Sequence, residues 1–340
     1  MSNPAATLPG SERRNASAST WQRSRHERRP PASPLVRLRT LPDLRRPIPA
    51  RLAVARAEHR GRVAWEISAG ERKRAVTAMR AVVSGTEHAG RVQELARAHV
   101  IENHVRDAFF WRPWGQPTVD RESRAHLQAA LASGRGVLLS RCHLGAFFLG
   151  AGALGVLQTA PYTTIGPWLF EPLATGPWAR RVDRWRRGVE GMGEQLLNTK
   201  GSYELLAALL ERRELVQIYF DMPGGKRTSF LGKPVMLAGG SARLAEQTDA
   251  LLLPMHLYRN GHRISARIRP ALDPREHPSH EDLQEALAQV HERAILLAPA
   301  TLEDPTRTGA WEDGAGALEW AKPSSLSDPA RTAHWTPGAA

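Results

Sequence analysis

A single cysteine, Cys142, in 340 residues excludes an internal disulfide framework and any cysteine-rich metal site. Such usage suits a reducing compartment. No stretch approaches the ~18 consecutive apolar residues of a membrane-spanning helix, and the first 30 residues contain no apolar core of a secretory signal. A cytoplasmic protein is expected, attached to the inner face of a membrane at its surface if at all. No His/Cys/Asp cluster has metal-ligand spacing, so neither metal nor other cofactor is expected. No internal repeat of fixed period is present.

Acidic residues are scarce in one place only. Residues 1–60 hold thirteen Arg against Glu12, Glu27, Asp43 and Glu58, and so carry nine of the thirteen net positive charges. The same stretch is broken by Pro30, Pro31, Pro34, Pro42, Pro47 and Pro49. Such composition buries too little apolar surface to fold, so residues 1–62 are expected to be a disordered Arg/Pro-rich leader. A basic arm can bind RNA or an anionic membrane, or remain merely solvated. Residues 63–322 are expected to form one domain, and residues 323–340 a flexible tail.

Inside that domain, Ser68-Ala-Gly-Glu71 has the spacing of a capping box, and Val76, Met79 and Val83 follow at helical intervals. Val92, Leu95, His99 and Phe109 mark a second amphipathic helix, in which His99 and His104 are helix-face residues. A polar helix over 124–132 ends at Ser133-Gly134. The continuous apolar runs at 136–140, 215–220 and 250–257 read as buried strands, with helices at 203–213, from Gly239-Gly240-Ser241, and at 281–297. Arg259-Asn260-Gly261-His262 is a hairpin signal followed by alternating Ile264, Ala266 and Ile268. The alternation predicts an α/β domain: a mixed, mostly parallel central sheet flanked by helices, with a helical N-terminal lead-in.

In open α/β sheets, sites collect beyond the carboxyl ends of strands, where His143 and Asp221 fall. A histidine there can take a proton from an attacking hydroxyl or amine, with a carboxylate fixing its tautomer. Amides around Gly145 can hold an oxyanion. The plain alternative is a helix cap at His143 and a turn at Asp221. Cys142 is open between a thioester nucleophile and a small buried thiol. Arg141 can meet an anionic substrate or be a surface cation. Gly239 and Gly240, with Arg243 nearby, can receive a phosphate or merely start a helix. Trp178 and Trp185, set among Arg180, Arg181, Arg184, Arg186 and Arg187, fit a membrane surface, a single-stranded nucleic acid, or a solvated helix with its tryptophans packed inward.

Gly136-Val-Leu-Leu-Ser-Arg-Cys-His143-Leu-Gly145 resembles a block of the bacterial lipid A biosynthesis (lauroyl/myristoyl) acyltransferases and the related phosphatidylinositol mannoside acyltransferases, within the lysophospholipid acyltransferase-like group. Asp221-Met-Pro-Gly-Gly, Phe230-Leu-Gly-Lys-Pro-Val-Met-Leu-Ala-Gly-Gly-Ser-Ala-Arg-Leu-Ala245 and Leu253-Pro254 resemble later blocks. The stretch 72–114 is similar to the helical lead-in, and Pro299 and Trp311 to the ending. The likeness spans roughly 65–320. One departure stands out. The pattern of these proteins is H-x4-D/E, and Phe148 occupies the acid position. Asp221 is the candidate replacement.

The resemblance implies acyl transfer from an acyl carrier protein or coenzyme A thioester to a hydroxyl or amine of a lipid or small-molecule acceptor. His143 would be the base, Asp221 its partner, and Arg141, Gly145, Gly239, Gly240 and Arg243 would bind substrate. An aminoacyl-tRNA donor in specialised metabolism is the alternative, marked by co-purified RNA lost at high salt. A non-catalytic binding protein on the same fold is another.

Overall fold

Val137–Arg141 is a fully buried strand, and its place at the centre of a seven-stranded sheet decides where everything else lies. The structure, a computed structural model, describes residues 49–111, 117–166, 177–191, 193–199, 201–303 and 311–312. In chain order the main elements are α1 (Ala50–Ile67), α2 (Ala69–Val83), α3 (Val92–Trp111), β1 (Thr118–Val119), α4 (Arg121–Ala132), β2 (Val137–Arg141), α5 (Gly150–Val156), β3 (Tyr162–Ile165), α6 (Pro177–Gly191), β4 (Gln195–Asn198), α7 (Tyr203–Glu211), β5 (Leu215–Tyr219), β6 (Pro223–Phe230), β7 (Lys233–Leu237), α8 (Gly240–Thr248), β8 (Leu251–Asn260), β9 (Arg263–Ile268) and α9 (His280–Leu297).

The sheet order is β1-β9-β8-β2-β5-β3-β4, parallel except where β8 and β9 form the antiparallel hairpin. The fold is thus α/β with a mixed, mostly parallel sheet, as the sequence pattern requires. β6 and β7 pair separately as a two-stranded hairpin.

Side chains alternate across the sheet. Leu138, Cys142, Val216, Phe220 and Leu252 point into the layer built by α2, α7, α8, α9 and the β6–β7 hairpin. Val137, Leu139, Leu215, Leu253 and Met255 point the other way, against α1, α4, α5 and the C-terminal half of α3. Burial of a Leu of this kind is worth about 1.5–3 kcal/mol. Two such layers make one contiguous scaffold around β2.

Ser68 caps α2 as its sequence demands, its Oγ accepting the Glu71 N–H at 3.3 Å. The expected leader boundary at residue 62 needs correction, because it falls inside α1, which already begins at Ala50. Arg-rich composition concealed two ties. Val54, Ala57 and Gly61 are buried, and the Arg259 guanidinium donates to Glu58 at 3.1 Å and to Glu102 on α3 at 3.0 Å. The sequence before residue 49, like the expected tail at 323–340, lies outside the described residues. Among the described residues, no helix is long and apolar enough to cross a membrane.

A buried polar chain pins β2 to the α9 layer. Ser140 Oγ lies 2.9 Å from His291 Nε2, and His291 Nδ1 lies 2.8 Å from His256 Nε2. Burial pushes His291 down to about 3 and His256 well below its ordinary value. Both rings are therefore neutral in the folded protein, whereas in the unfolded chain they take up protons below about pH 6.5. Stability contributed by the neutral pair is complete above that pH and falls as the pH drops toward 3. Urea midpoints at pH 7.5, 6 and 5 should decline in that order, and less steeply in a His256→Gln variant.

Candidate active site

β2 and β5 are neighbours with Arg141 opposite Tyr219. Continuing that register by two residues sets His143 opposite Asp221, both on the face that carries Arg141 and Tyr219. The Asp221 carboxylate receives His143 twice. Oδ1 lies 2.8 Å from the ring Nδ1, and Oδ2 accepts the His143 backbone N–H at 3.0 Å. Asp221 is 0% exposed, so water does not compete for its carboxyl oxygens. With Nδ1–H donated to the carboxylate, Nε2 is left as the basic nitrogen.

The surroundings immobilise this pair. The Tyr219 ring stacks on the imidazole with centroids 4.1 Å apart at 18°, and Phe147 meets it edge-on at 4.8 Å. Desolvation pushes the Tyr219 phenol up to about 12, so it remains protonated. His143 O accepts from the Glu303 N–H at 2.8 Å. Behind the aspartate, buried Trp311 donates Nε1–H to Asp221 O at 3.0 Å. Tyr219 was not singled out from sequence; the parity of β5 relative to Asp221 is the signal that finds it.

Phe148, at the family's acid position, is 5% exposed in a short 3-10 turn over 147–149, and its carbonyl accepts Trp185 Nε1–H at 3.2 Å. It is a packing residue, and the carboxylate beside the histidine comes from the turn just after β5. Trp185 is thus packed inward, while Asp183 pairs with Arg186 and Arg187. The side chains of Trp178, Arg180, Arg181 and Arg184 lie outside the described residues.

Several expectations change. The Gly145 N–H donates to Thr301 O at 3.0 Å, so it is engaged in structure and is not an open oxyanion donor. Gly145 is needed for another reason: its φ is +63°, and a Cβ there would stand 2.4 Å from Leu257 O. Gly145→Ala should lower stability by about 2 kcal/mol or more, seen as a shifted denaturation midpoint. Arg141 is no surface cation. It is 2% exposed, donates to Phe147 O, and its guanidinium fills the space that a side chain at residue 150 would need.

Gly239, Gly240 and Arg243 open α8, whose buried residues belong to the opposite layer. Arg243 donates Nε–H to Tyr203 OH at 3.0 Å and lies over that ring. The structure does not bring these three to His143, because α8 packs beneath the other face of the sheet. Cys142 is buried in that same layer, away from the imidazole. His99 is a buried helix residue donating to Ala300 O at 2.9 Å, and His104 is half-buried on the same helix. Among the described residues, no group of three or more His, Cys, Asp or Glu side chains can hold a metal ion.

The family model described as bacterial lipid A biosynthesis acyltransferase matches residues 93–302, well over half of the chain and inclusive of β2, β5 and both site residues. The chain belongs to this family. Within the bacterial lipid A biosynthesis acyltransferase family, it is similar to phosphatidylinositol mannoside acyltransferases. It is 30% identical over 155 residues to those of Mycobacterium tuberculosis (strain ATCC 25618 / H37Rv) and Mycolicibacterium smegmatis (strain ATCC 700084 / mc(2)155). The match takes in 44% of this chain and 46% and 48% of those proteins, so it spans less than half their length. The crystal structure of the 1-acyl-sn-glycerophosphate (LPA) acyltransferase PlsC from Thermotoga maritima is similar over 74% of this chain and 96% of that one, at 14% identity and a TM-score of 0.36.

Proposed function

We propose that the protein transfers an acyl group from an activated thioester, borne by acyl carrier protein or coenzyme A, to a hydroxyl or amine of a lipid or small-molecule acceptor. The observation that carries this reading is the His143 Nδ1 to Asp221 Oδ1 contact of 2.8 Å at the end of the central strand. Family membership supplies the reaction class.

In the proposed cycle, His143 Nε2 removes the proton of the acceptor O–H or N–H as that atom attacks the thioester carbonyl carbon. The imidazolium so formed is stabilised by the Asp221 carboxylate at its Nδ1 side. Collapse of the tetrahedral intermediate breaks the C–S bond, and the thiolate recovers the proton from Nε2. The stack of Tyr219 on the imidazole holds the ring against rotation through this cycle.

The test is release of free thiol from a panel of acyl-coenzyme A and acyl-carrier-protein thioesters, with intact-mass detection of the acylated acceptor. Turnover with at least one thioester is expected. An absence of thiol release across donors and acceptors of varied chain length would remove the reading.

A further inference from the structure

His143 lies two residues past Arg141, where β2 and its pairing with β5 and β8 end. The turn that follows is held by residues 300–303 as well as by Asp221. Leu144 forms an antiparallel bridge with Leu302, the Glu303 N–H donates to His143 O at 2.8 Å, and the Gly145 N–H donates to Thr301 O at 3.0 Å. Residues 300–303 thus run as a short strap along the turn that carries the imidazole. Gripped on both sides of residue 144, the main chain at His143 has little freedom, and the direction of its side chain follows.

The strap is itself held from α3. His99 donates Nδ1–H to Ala300 O at 2.9 Å, and Asn103 donates Nδ2–H to His99 Nε2 at 3.0 Å. Arg106 donates to two carbonyls, Thr301 O at 3.0 Å and Glu303 O at 3.1 Å, and also to Asn103 Oδ1. The spacing of residues 99, 103 and 106 sets all three on one face of the helix. Two strap residues are thereby shared between helix and turn. Thr301 O accepts from both Arg106 and Gly145, while Glu303 accepts from Arg106 at its carbonyl and donates to His143 through its N–H. One guanidinium therefore stands a single residue away from each side of the histidine turn.

Arg106 is 4% exposed and His99 5%. A buried guanidinium is costly to desolvate, whereas apolar side chains could attach helix to strap without that cost. What the guanidinium adds is direction. Its donors lie in one rigid plane, so meeting two carbonyls fixes the orientation of the strap as well as its distance. Precision of this kind matters beside a reacting group, because a displacement of about 1 Å can cost on the order of 10²-fold in rate.

We infer that Arg106, acting with His99 and Asn103 through residues 300–303, is a positioning residue that holds the His143 imidazole against Asp221. The inference deepens the acyl-transfer reading, on which only its kinetic arm rests.

The test uses the full chain with Arg106→Met and Arg106→Lys. The His143 Nδ1–H proton, seen by NMR with isotope-labelled histidine and assigned by its loss in His143→Ala, reports the contact with Asp221 without any turnover. In the wild type it should give a sharp low-field resonance. In Arg106→Met it should broaden or move upfield while a cooperative melting transition persists. In parallel, thiol release from octanoyl-coenzyme A should fall on the order of 10²-fold in kcat, with KM changed by less than about twofold. Arg106→Lys keeps the charge but not the planar fork, and should lose about 10-fold. Added to His143→Ala, Arg106→Met should cost nothing further. A lowered melting temperature with resonance and kcat unchanged would overturn the inference and assign Arg106 to stability alone. A raised KM with kcat unchanged would equally overturn it, making Arg106 a substrate contact. If Arg106→Met does not fold, Arg106→Lys decides, and a wild-type resonance and kcat in that variant would sink the idea. A resonance that moves in the variants, with no thiol release by the wild type from any donor, would remove the acyl-transfer reading and leave the positioning role standing.

Discussion

Replacing His143 with alanine is expected to reduce acyl transfer on the order of 10³–10⁴-fold, as thiol release per enzyme, while the protein keeps its fold. In the proposed cycle the side chain carries the nitrogen that takes the acceptor proton. Its removal takes away an interaction made as that proton moves, so kcat should fall far more than KM changes. The ring leaves a space beside Tyr219 and Phe147 at a position where His143 is 13% exposed, which water can reach. Its backbone N–H bond to Asp221 Oδ2 and its carbonyl bond to Glu303 survive the change. A native melting transition with lost turnover is the expected pair of results. Loss of both together would assign His143 to structure.

Asp221→Asn is the second large effect, on the order of 10²–10⁴-fold in kcat. The amide oxygen can replace one acceptor, but the other position then presents an N–H group. If that group faces Nδ1, the imidazole must carry its proton on Nε2, the wrong tautomer for a base. If instead the amide turns, the N–H group opposes the His143 backbone N–H, and a buried donor goes unmet at about 1–3 kcal/mol. Either way both activity and stability decline, with the loss in rate much the larger. Steady-state kinetics beside a urea titration separate the two. A variant with unchanged kcat and lowered stability would reduce Asp221 to a structural role.

The position of this pair is legible because two buried, largely apolar strands each stop two residues short of their ionisable residue. Register and parity then follow from two adjacent parallel strands. That the Asp221 carboxylate stands beside His143 can be read from the same logic. β3 and β4 were not legible, since each is four residues long and shows too little pattern to separate strand from loop. With them were hidden the buried Thr163 and Glu194, which hydrogen-bond each other. The engagement of the Gly145 amide is not legible either, because its partner Thr301 is remote in the chain and sits in a short 3-10 turn. Gly239 and Gly240 show the converse limit. A glycine pair before a helix looks the same whether the helix faces a site or, as α8 does, packs beneath the opposite side of the sheet.

Composition misled at the N-terminal boundary for a related reason. The arginines of α1 look like a continuation of the leader, and only coordinates reveal Glu58 bound to Arg259. Charge runs report solvation when they have no partner. Here a partner some 200 residues later turns part of the run into a packed helix.

The most direct measurement is a double-mutant cycle on acyl transfer, comparing the wild type with His143→Ala, Asp221→Asn and the double variant. Since the carboxylate acts only through the imidazole, the double variant should turn over no more slowly than His143→Ala alone. Multiplicative losses, with Asp221→Asn costing its full factor even when the imidazole is gone, would contradict a catalytic pair.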